Sequence, residues 1–229
     1  MVPRRYAVGV TNATTRPAIP AGLVEGGVVA IARRLTPETA PAVARALADG
    51  GVRAFEITLN EPQADALRAI DAVARIVEGA DLVIGAGTVL TIDEAKAAID
   101  AGATFLVMPH TDPELVAWAA AHGIPSFPGA ATPTEILTAW RAGATAIKVF
   151  PASALGPAFI RELHGPFPHI PLLPTGGVSA ENAGAFIAAG AIAVGLGSWL
   201  VGDGQPAGVT ERARQVVHAV AAARAKVAS

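Results

Sequence analysis

Glycine recurs at the ends of the alanine-rich, amphipathic segments of this 229-residue chain, each time just before a short apolar run. A glycine that ends a helix and precedes a buried parallel strand produces this pattern. From about residue 26 onward, the pattern predicts eight strands and eight helices in alternation. The predicted strands are 27–32, 53–58, 82–86, 104–108, 124–127, 145–149, 171–174 and 191–195. The predicted helices lie near 37–49, 62–78, 91–101, 112–122, 132–142, 156–163, 179–189 and 209–226.

Strands that alternate with helices form parallel sheets, and eight such units in one domain favour an α/β fold of the (β/α)8 TIM barrel type. A flavodoxin-like or Rossmann sheet is the alternative. The segment Gly85-Ala86-Gly87-Thr88 has neither the third glycine nor the acidic residue of a dinucleotide-binding fingerprint, which argues against that alternative. We therefore predict an N-terminal extension over residues 1–22 and a single barrel domain over residues 23–229.

The composition argues against several classes of protein. Hydrophobic residues make up 52% of the chain and charged residues 16%, which fits a large core. A net charge of −2 gives no general reason to expect nucleic acid or a membrane surface as a partner. The first twenty residues lack the long apolar segment of a secretory signal, so we expect a cytoplasmic protein. Without cysteine, the chain has neither disulfides nor thiol chemistry.

One of the three lysines, Lys148, lies inside the apolar run 145–149 that is predicted to be a buried strand. A buried ammonium group must be paired, reach solvent or lose its proton, and a neutral amine is a nucleophile. Strand alternation places Lys148 and Ala146 on the inner face of the barrel. On this evidence alone, a structural lysine paired with a carboxylate explains the pattern as well as a nucleophile does.

Alternation on the second strand also points Glu56 inward, together with Ala54 and Thr58. This carboxylate is a natural partner for Lys148. It serves either as a structural counter-ion or as a general base that relays protons through water.

Glycine-rich turns follow the last two predicted strands, at Thr175-Gly176-Gly177 and at Gly195-Leu196-Gly197-Ser198. Either turn alone is typical of a tight connection between a strand and a helix. Together they favour a phosphate site, because the loops after strands seven and eight of such barrels present backbone N–H groups to an anion. At the end of strand one, Arg33 is expected to face inward and hold a carboxylate, while Arg34 faces outward.

The five histidines show none of the spacings of a metal site, so neither a metal nor another cofactor is expected. His110 follows a predicted strand and is placed where it could contact substrate.

Six segments, in this order and at this spacing over about residues 26–202, resemble the 2-keto-3-deoxy-6-phosphogluconate (KDPG) aldolase family. That family also includes 2-keto-3-deoxy-6-phosphogalactonate (KDPGal) and 4-hydroxy-2-oxoglutarate aldolases. The six segments are Phe55-Glu56-Ile57-Thr58-Leu59-Asn60, Ile84-Gly85-Ala86-Gly87-Thr88-Val89-Leu90, Phe127-Pro128-Gly129, Ile147-Lys148-Val149-Phe150-Pro151-Ala152, Pro174-Thr175-Gly176-Gly177-Val178 and Gly197-Ser198-Trp199-Leu200.

The resemblance implies a metal-independent class I aldolase, a homotrimer of barrels that cleaves a KDPG-type phosphorylated 2-keto-3-deoxy sugar acid to pyruvate and D-glyceraldehyde 3-phosphate. KDPGal and 4-hydroxy-2-oxoglutarate are the alternative substrates. It implies that Lys148 forms the Schiff base and that Glu56 is the acid/base. It further implies that Thr88 and Pro109 line the pyruvyl pocket and that Thr175 contacts substrate. The residues that it assigns to the phosphate are Gly176, Gly177, Gly197 and Ser198.

One position departs from the gluconate enzymes, which carry arginine where this chain has Asn60. Asn60 and the segment Ser153-Ala154-Leu155-Gly156-Pro157 resemble the galactonate branch, whereas Thr175 resembles the gluconate branch. If Arg33 replaces the cation lost at Asn60, the substrate carboxylate stays bound. Two other interpretations remain open: a barrel that acts on sugar phosphates without covalent catalysis, and a binding or scaffold protein without activity.

Overall fold

The computed structural model of the protein describes residues 16–59, 62–77 and 81–228. These residues form nine strands and ten helices. The strands are β1 (Val28–Ala32), β2 (Ala54–Thr58), β3 (Val83–Gly87), β4 (Leu106–Val107), β5 (Ser126–Phe127), β6 (Gly129–Ala130), β7 (Ile147–Val149), β8 (Leu172–Pro174) and β9 (Val194–Leu196). The helices are α1 (Ala21–Gly26), α2 (Ala40–Asp49), α3 (Gln63–Val77), α4 (Ile92–Asp100), α5 (Pro113–Ala121), α6 (Pro133–Ala142), α7 (Ala152–Leu163), α8 (Ala180–Ala188), α9 (Ser198–Val201) and α10 (Pro206–Ala228).

All paired strands run parallel, which confirms the predicted α/β class with a parallel sheet. Six strands follow the order β5-β4-β3-β2-β1-β9, and three follow the order β6-β7-β8. Only Pro128 separates β5 from β6. A single parallel bridge joins Thr175, next to β8, to Gly195 in β9. The strands thus form a curled, half-barrel arrangement.

The structure corrects the predicted elements at three places. The strand predicted over 124–127 begins only at Ser126. A strand that was not predicted, β6, follows Pro128, which has no N–H to donate to the sheet and so separates it from β5. The helix predicted from residue 156 begins at Ala152. The sequence did not predict the first turn of this helix, because Gly156 and Pro157 are typical of a helix boundary. Gly156 does interrupt the helical backbone (φ 71°, ψ 171°). The short helices α1 and α9 were not predicted.

The two faces of the strands bury different sets of side chains, as the alternation predicts. Residues of the outer face, such as Phe55, Ile57, Ile147 and Val149, pack with the helices. The inner face forms a second cluster, in which the rings of Phe105 and Phe127 meet edge to face with centroids 5.7 Å apart. The inner cluster also contains Val29, Ile31, Ala54, Val107 and Leu173 from the strands, and Ala146 and Ala193, which directly precede β7 and β9. The prediction that Ala146 and Ala54 face inward is confirmed.

The segment before β1 packs against the amino-terminal side of the strands. Leu23 of α1 is fully buried in the inner cluster, and Ile19 packs against it. The Arg16 guanidinium lies 3.2 Å from the centroid of the Trp140 ring and donates to the carbonyl oxygens of Trp140 and Ala144. The predicted division between an extension over 1–22 and a barrel over 23–229 stays a prediction.

Side-chain caps explain where several helices begin. Thr91 accepts a hydrogen bond from the Glu94 N–H at 3.1 Å, and the Glu94 carboxylate accepts one from the Thr91 N–H at 3.2 Å. The same capping box, which satisfies two N–H groups that the helix leaves unpaired, joins Thr132 to Glu135 before α6. No helix in the described part of the chain has the length and hydropathy required to cross a lipid bilayer.

Two neighbouring hydroxyls in the core should affect stability in opposite directions. Ser126 Oγ is buried without a partner among the described residues, whereas Thr145 Oγ1 accepts a hydrogen bond from the Ser126 N–H at 3.1 Å. We expect Ser126→Ala to raise the free energy of unfolding by about 1 kcal/mol, because the hydroxyl is desolvated without a hydrogen bond. Thr145→Val should lower it by about 1–3 kcal/mol, since it leaves a buried N–H unpaired. Urea unfolding checks both values, and equal signs would contradict this assignment.

Candidate active site

Two ionisable side chains lie inside the curled sheet near the carboxyl ends of their strands. Glu56 on β2 is 2% exposed and Lys148 on β7 is 7% exposed. In the described part of the chain, they are the only charged residues classed as buried. The inner-face residues Ala54 and Ala146, two positions earlier on the same strands, confirm that both side chains point inward. The fold therefore brings the predicted acid/base and the predicted nucleophile into one interior.

Electrostatics couple Glu56 to two cations. Burial raises the pKa of the Glu56 carboxyl group above its ordinary value of 4.5, and the charges of Lys148 and then Arg33 oppose this rise. Among the described residues, no ion pair or hydrogen bond engages the Glu56 carboxylate. A desolvated carboxyl group near two cations, with no fixed partner, can take up and release a proton during a reaction.

The raised pKa makes the stability of the protein depend on pH. At low pH the Glu56 carboxyl group is protonated in both the folded and the unfolded chain. As pH rises through the folded-state pKa, stability is lost, because the unfolded chain releases this proton more readily. We therefore expect Glu56→Gln to unfold with nearly the wild-type free energy near pH 4 and to become the more stable protein toward neutral pH. Urea unfolding across this range measures the difference, and a constant difference would contradict the prediction.

Gly87 at the end of β3 makes room for the Glu56 side chain. A methyl group built on Gly87 would overlap the carboxylate of Glu56, since the two residues pack side by side across β2 and β3. Glu56 pairs with Gly85 in register, and Thr58 pairs with Gly87. No residue with a side chain fits at position 87 while Glu56 keeps its place.

Gly87→Ala should therefore displace the carboxylate without replacing it. The overlapping atoms lie at the end of a flexible side chain, so we expect the variant to fold and to lose about a hundredfold in kcat, the scale of a misplaced acid/base. Gly184→Ala is the matched control, because a methyl group built there meets only ordinary contacts, the nearest being the Ala223 Cβ at 3.5 Å, and the backbone of Gly184 is not left-handed. Circular dichroism checks that the variant is folded, and steady-state kinetics measure its kcat. Wild-type kcat in Gly87→Ala would contradict the acid/base role predicted for Glu56.

The Lys148 amine borders aromatic and backbone groups from neighbouring strands. Its Nζ lies 5.2 Å from the centroid of the Phe150 ring, a cation–π distance. Lys148 pairs with Gly129 across the sheet. A methyl group on Gly129 would overlap the carbonyl of Pro109, so Pro109 approaches this strand closely. Pro109, which is predicted to line the pyruvyl pocket, therefore lies close to Gly129, the residue that pairs with Lys148 on the next strand.

Thr88, directly after β3, has a left-handed backbone with φ 57°. A β-branched residue rarely adopts this conformation, and such residues concentrate at functional sites. Thr88 is half-buried and follows Gly87, which contacts Glu56. The structure therefore holds Thr88 at the strand end where the sequence predicted a substrate contact.

A cavity of about 230 Å³ lies beside this interior, between the ends of β1, β8 and β9. Gly176 (φ 92°) and Gly177 (φ 75°) need the conformational freedom of glycine. The Arg33 guanidinium approaches Gly197, where a methyl group would lie 3.1 Å from Nη1. The residues that line this cavity are Ile31, Arg33, Thr175, Gly176, Gly177, Val178, Gly197, Ser198 and Trp199. All four residues predicted to bind phosphate thus lie together, with a cation beside them.

The other predicted site residues do not line this cavity: Thr88, Pro109, Glu56 and Lys148. Arg33 does line it, together with the glycine turns. Of the remaining residues, His110 and Arg34 are exposed, and Asn60 lies outside the described residues.

The structure adds residues that sequence reasoning missed. Trp199 and Val178 line the cavity, Phe150 faces the Lys148 amine, and Gly87 accommodates Glu56. The small residues next to functional positions were visible in the sequence, but which side chain each one accommodates depends on strand register. Among the described residues, no group of three histidine, aspartate or glutamate side chains is arranged to hold a metal ion.

Ionisable groups inside a parallel α/β sheet, beside a glycine-lined cavity at the carboxyl ends of the strands, are typical of enzymes with this kind of fold. A family model described as KDPG and KHG aldolase matches residues 19–213. The probable 2-dehydro-3-deoxy-6-phosphogalactonate aldolase of Rhizobium meliloti (strain 1021) is 40% identical over 197 residues, which cover 85% of this chain and 92% of that protein.

Two solved structures are also similar. A structure described as native KDPGal has a TM-score of 0.81 and 37% identity, and the match covers 86% of this chain and 96% of that one. KDPG aldolase from Legionella pneumophila, with pyruvate captured at low pH as a covalent carbinolamine intermediate, has a TM-score of 0.74 and 29% identity, over 88% and 97% of the two chains. The chain belongs to the KDPG and KHG aldolase family, and it is therefore an enzyme of the lyase class.

Proposed function

We propose that this enzyme is a class I aldolase that cleaves a 2-keto-3-deoxy-6-phospho sugar acid to pyruvate and D-glyceraldehyde 3-phosphate through an imine on Lys148. The observation that carries the proposal is the placement of a lysine that is only 7% exposed on the same inner face as the buried Glu56. The Legionella relative supports it, because pyruvate is covalently captured in that protein.

In the proposed reaction, the neutral amine of Lys148 attacks the C2 ketone and forms a carbinolamine, which loses water to give an iminium ion. Glu56 removes the proton of the C4 hydroxyl, directly or through water. The C3–C4 bond breaks, its electron pair moves toward the iminium nitrogen, and glyceraldehyde 3-phosphate leaves. The resulting enamine is protonated at C3, and water then releases pyruvate and restores the amine. Glu56, protonated in the cleavage step, can return its proton to C3 of the enamine, directly or through water.

The cavity beside the interior is the proposed phosphate site. Its two glycine turns offer backbone N–H groups, and Arg33 supplies positive charge at Gly197. This location supports a phosphate contact for Arg33 in place of the carboxylate contact predicted from the sequence. Binding energy from a phosphate remote from the reacting bond can orient the substrate and lower the barrier.

The pyruvyl half is proposed to lie against Thr88 and Pro109. The strained backbone of Thr88 and the close approach of Pro109 to the strand of Lys148 support this placement. Asn60 remains proposed as a substrate contact from the resemblance alone, since it lies outside the described residues.

The configuration at C4 separates the two candidate substrates, and we propose KDPGal as the preferred epimer. The relatives named as galactonate enzymes support this choice. Thr175, the one residue that resembles the gluconate branch, is 3% exposed, and its hydroxyl donates to the Leu173 carbonyl at 3.3 Å. A hydroxyl engaged with the backbone is less available to a substrate hydroxyl.

Pyruvate release from pure KDPG and pure KDPGal tests the proposal. We expect both epimers to be cleaved and KDPGal to have the higher kcat/KM. A higher kcat/KM for KDPG would reverse the choice of epimer and leave the reaction class in place. Cleavage of neither epimer, in a protein shown to be folded, would reject the proposed substrate class.

Several properties of the protein complete the proposal. The bridge from Thr175 to Gly195 and the short gap at Pro128 support closure of the strands into an eight-stranded barrel. We propose a homotrimer on the basis of the family resemblance, with the oligomeric mass in solution as the test. No metal or cofactor is proposed beyond the lysine imine, and the test is full activity in the presence of a chelator.

A further inference from the structure

The Phe150 ring is close both to the lysine and to a turn that lines the proposed phosphate cavity. The Lys148 Nζ lies 5.2 Å from the ring centroid. The ring also packs on Gly176, where a methyl group would lie 3.1 Å from ring carbons Cδ2 and Cε2. Gly176 in turn lines the cavity with Arg33. One side chain thus contacts the catalytic amine and the turn that would hold the phosphate.

The contact between ring and nitrogen acts in the step in which the nitrogen is a cation. The face of an aromatic ring attracts a cation at the observed distance of 5.2 Å. In the proposed reaction, the nitrogen is positively charged in the iminium ion from which the C3–C4 bond breaks, and it is neutral in the attacking amine and in the enamine. A ring held in place therefore favours one placement of the iminium nitrogen during the bond-breaking step.

The contact with Gly176 depends on the absence of a side chain there. The ring rests directly on the backbone of the turn, whose φ of 92° is accessible to glycine. Backbone bonds hold the surroundings of the ring: Phe150 N–H donates to the Ala130 carbonyl at 3.1 Å, and Ser153 N–H donates to the Gly176 carbonyl at 2.9 Å. An anion that orders the turn therefore restricts the ring as well.

We propose that Phe150 is a positioning residue that links occupancy of the phosphate cavity to the placement of the Lys148 amine. The inference rests on the proposed aldolase function. The link makes part of the phosphate's binding energy available in the chemical step, which appears as a higher kcat for phosphorylated substrates.

The condensation direction tests this link without a choice of sugar epimer. Pyruvate is combined with D-glyceraldehyde 3-phosphate or with D-glyceraldehyde, and pyruvate consumption is followed. The variants are Phe150→Leu, Phe150→Tyr and, as matched control, Phe159→Leu, which alters a partly buried phenylalanine that packs against the outer-face cluster. Borohydride trapping of pyruvate on the wild-type protein is run in parallel.

We expect Phe150→Leu to lower kcat with the phosphorylated aldehyde roughly tenfold and to change kcat with the unphosphorylated aldehyde by less than about twofold. KM should change little, Phe150→Tyr should restore the rate, and Phe159→Leu should behave as wild type. Equal losses on both aldehydes, or an effect no larger than that of Phe159→Leu, would overturn the link alone. A wild-type protein that forms no pyruvate adduct would overturn the aldolase proposal and the link together.

Discussion

Lys148→Ala and Lys148→Arg are both expected to abolish cleavage of the phosphorylated keto acid. Alanine removes the proposed nucleophile, and the arginine guanidinium stays protonated and cannot form the proposed imine. Because Lys148 is buried beside Glu56, removal of its charge should also raise the pKa of the carboxyl group further. An assay that couples pyruvate release to a second enzyme measures the cleavage rate of each variant.

Lys96→Ala is the matched control, since Lys96 is an exposed residue paired with Asp93 at 3.2 Å. It should retain wild-type kcat. Substantial turnover by either Lys148 variant, with the fold verified by circular dichroism, would remove the imine mechanism.

Glu56→Gln should lower kcat by roughly a hundredfold or more, the scale of a lost general acid/base. The amide keeps the shape of the side chain and cannot accept the C4 hydroxyl proton. Because it also removes the cost of a buried carboxylate, the same variant should be more stable than wild type near neutral pH. A slower and more stable enzyme is a result that a purely structural role does not give.

Glu162→Gln makes the same chemical change at an exposed position of α7 and should leave both kcat and stability unchanged. A near-normal rate in Glu56→Gln would reduce Glu56 to a counter-ion of Lys148.

Strand periodicity was sufficient to orient the central residues. Alternation over Ala54–Thr58 and Ile147–Val149 predicted which side chains face inward, and the inner cluster confirms it. The glycine turns at 176–177 and 197 were predicted to meet, and they line one cavity. These predictions succeeded because the period of two is a local property of each strand, and because all strands of a parallel sheet end at the same edge.

Features that depend on register or on a three-dimensional contact could not be predicted. Gly87 was not recognised as the neighbour of Glu56, because this contact depends on how β2 pairs with β3. The left-handed backbone of Thr88 could not be predicted either, since neither threonine nor the residues around it indicate that conformation. The position of Arg33 beside the glycine turns was not predicted, and its contact with a substrate carboxylate stays a prediction. The direction of a long side chain at a strand end depends on the loops around it, which periodicity does not describe.

Borohydride reduction of the protein in the presence of pyruvate, followed by peptide mass spectrometry, tests the central claim most directly. The account predicts a lactyl-sized adduct on Lys148 and none on Lys96 or Lys226, because only the buried amine lies in the catalytic interior. Failure of pyruvate to label Lys148, or equal labelling of all three lysines, would contradict the imine mechanism and favour a sugar-phosphate enzyme without covalent catalysis.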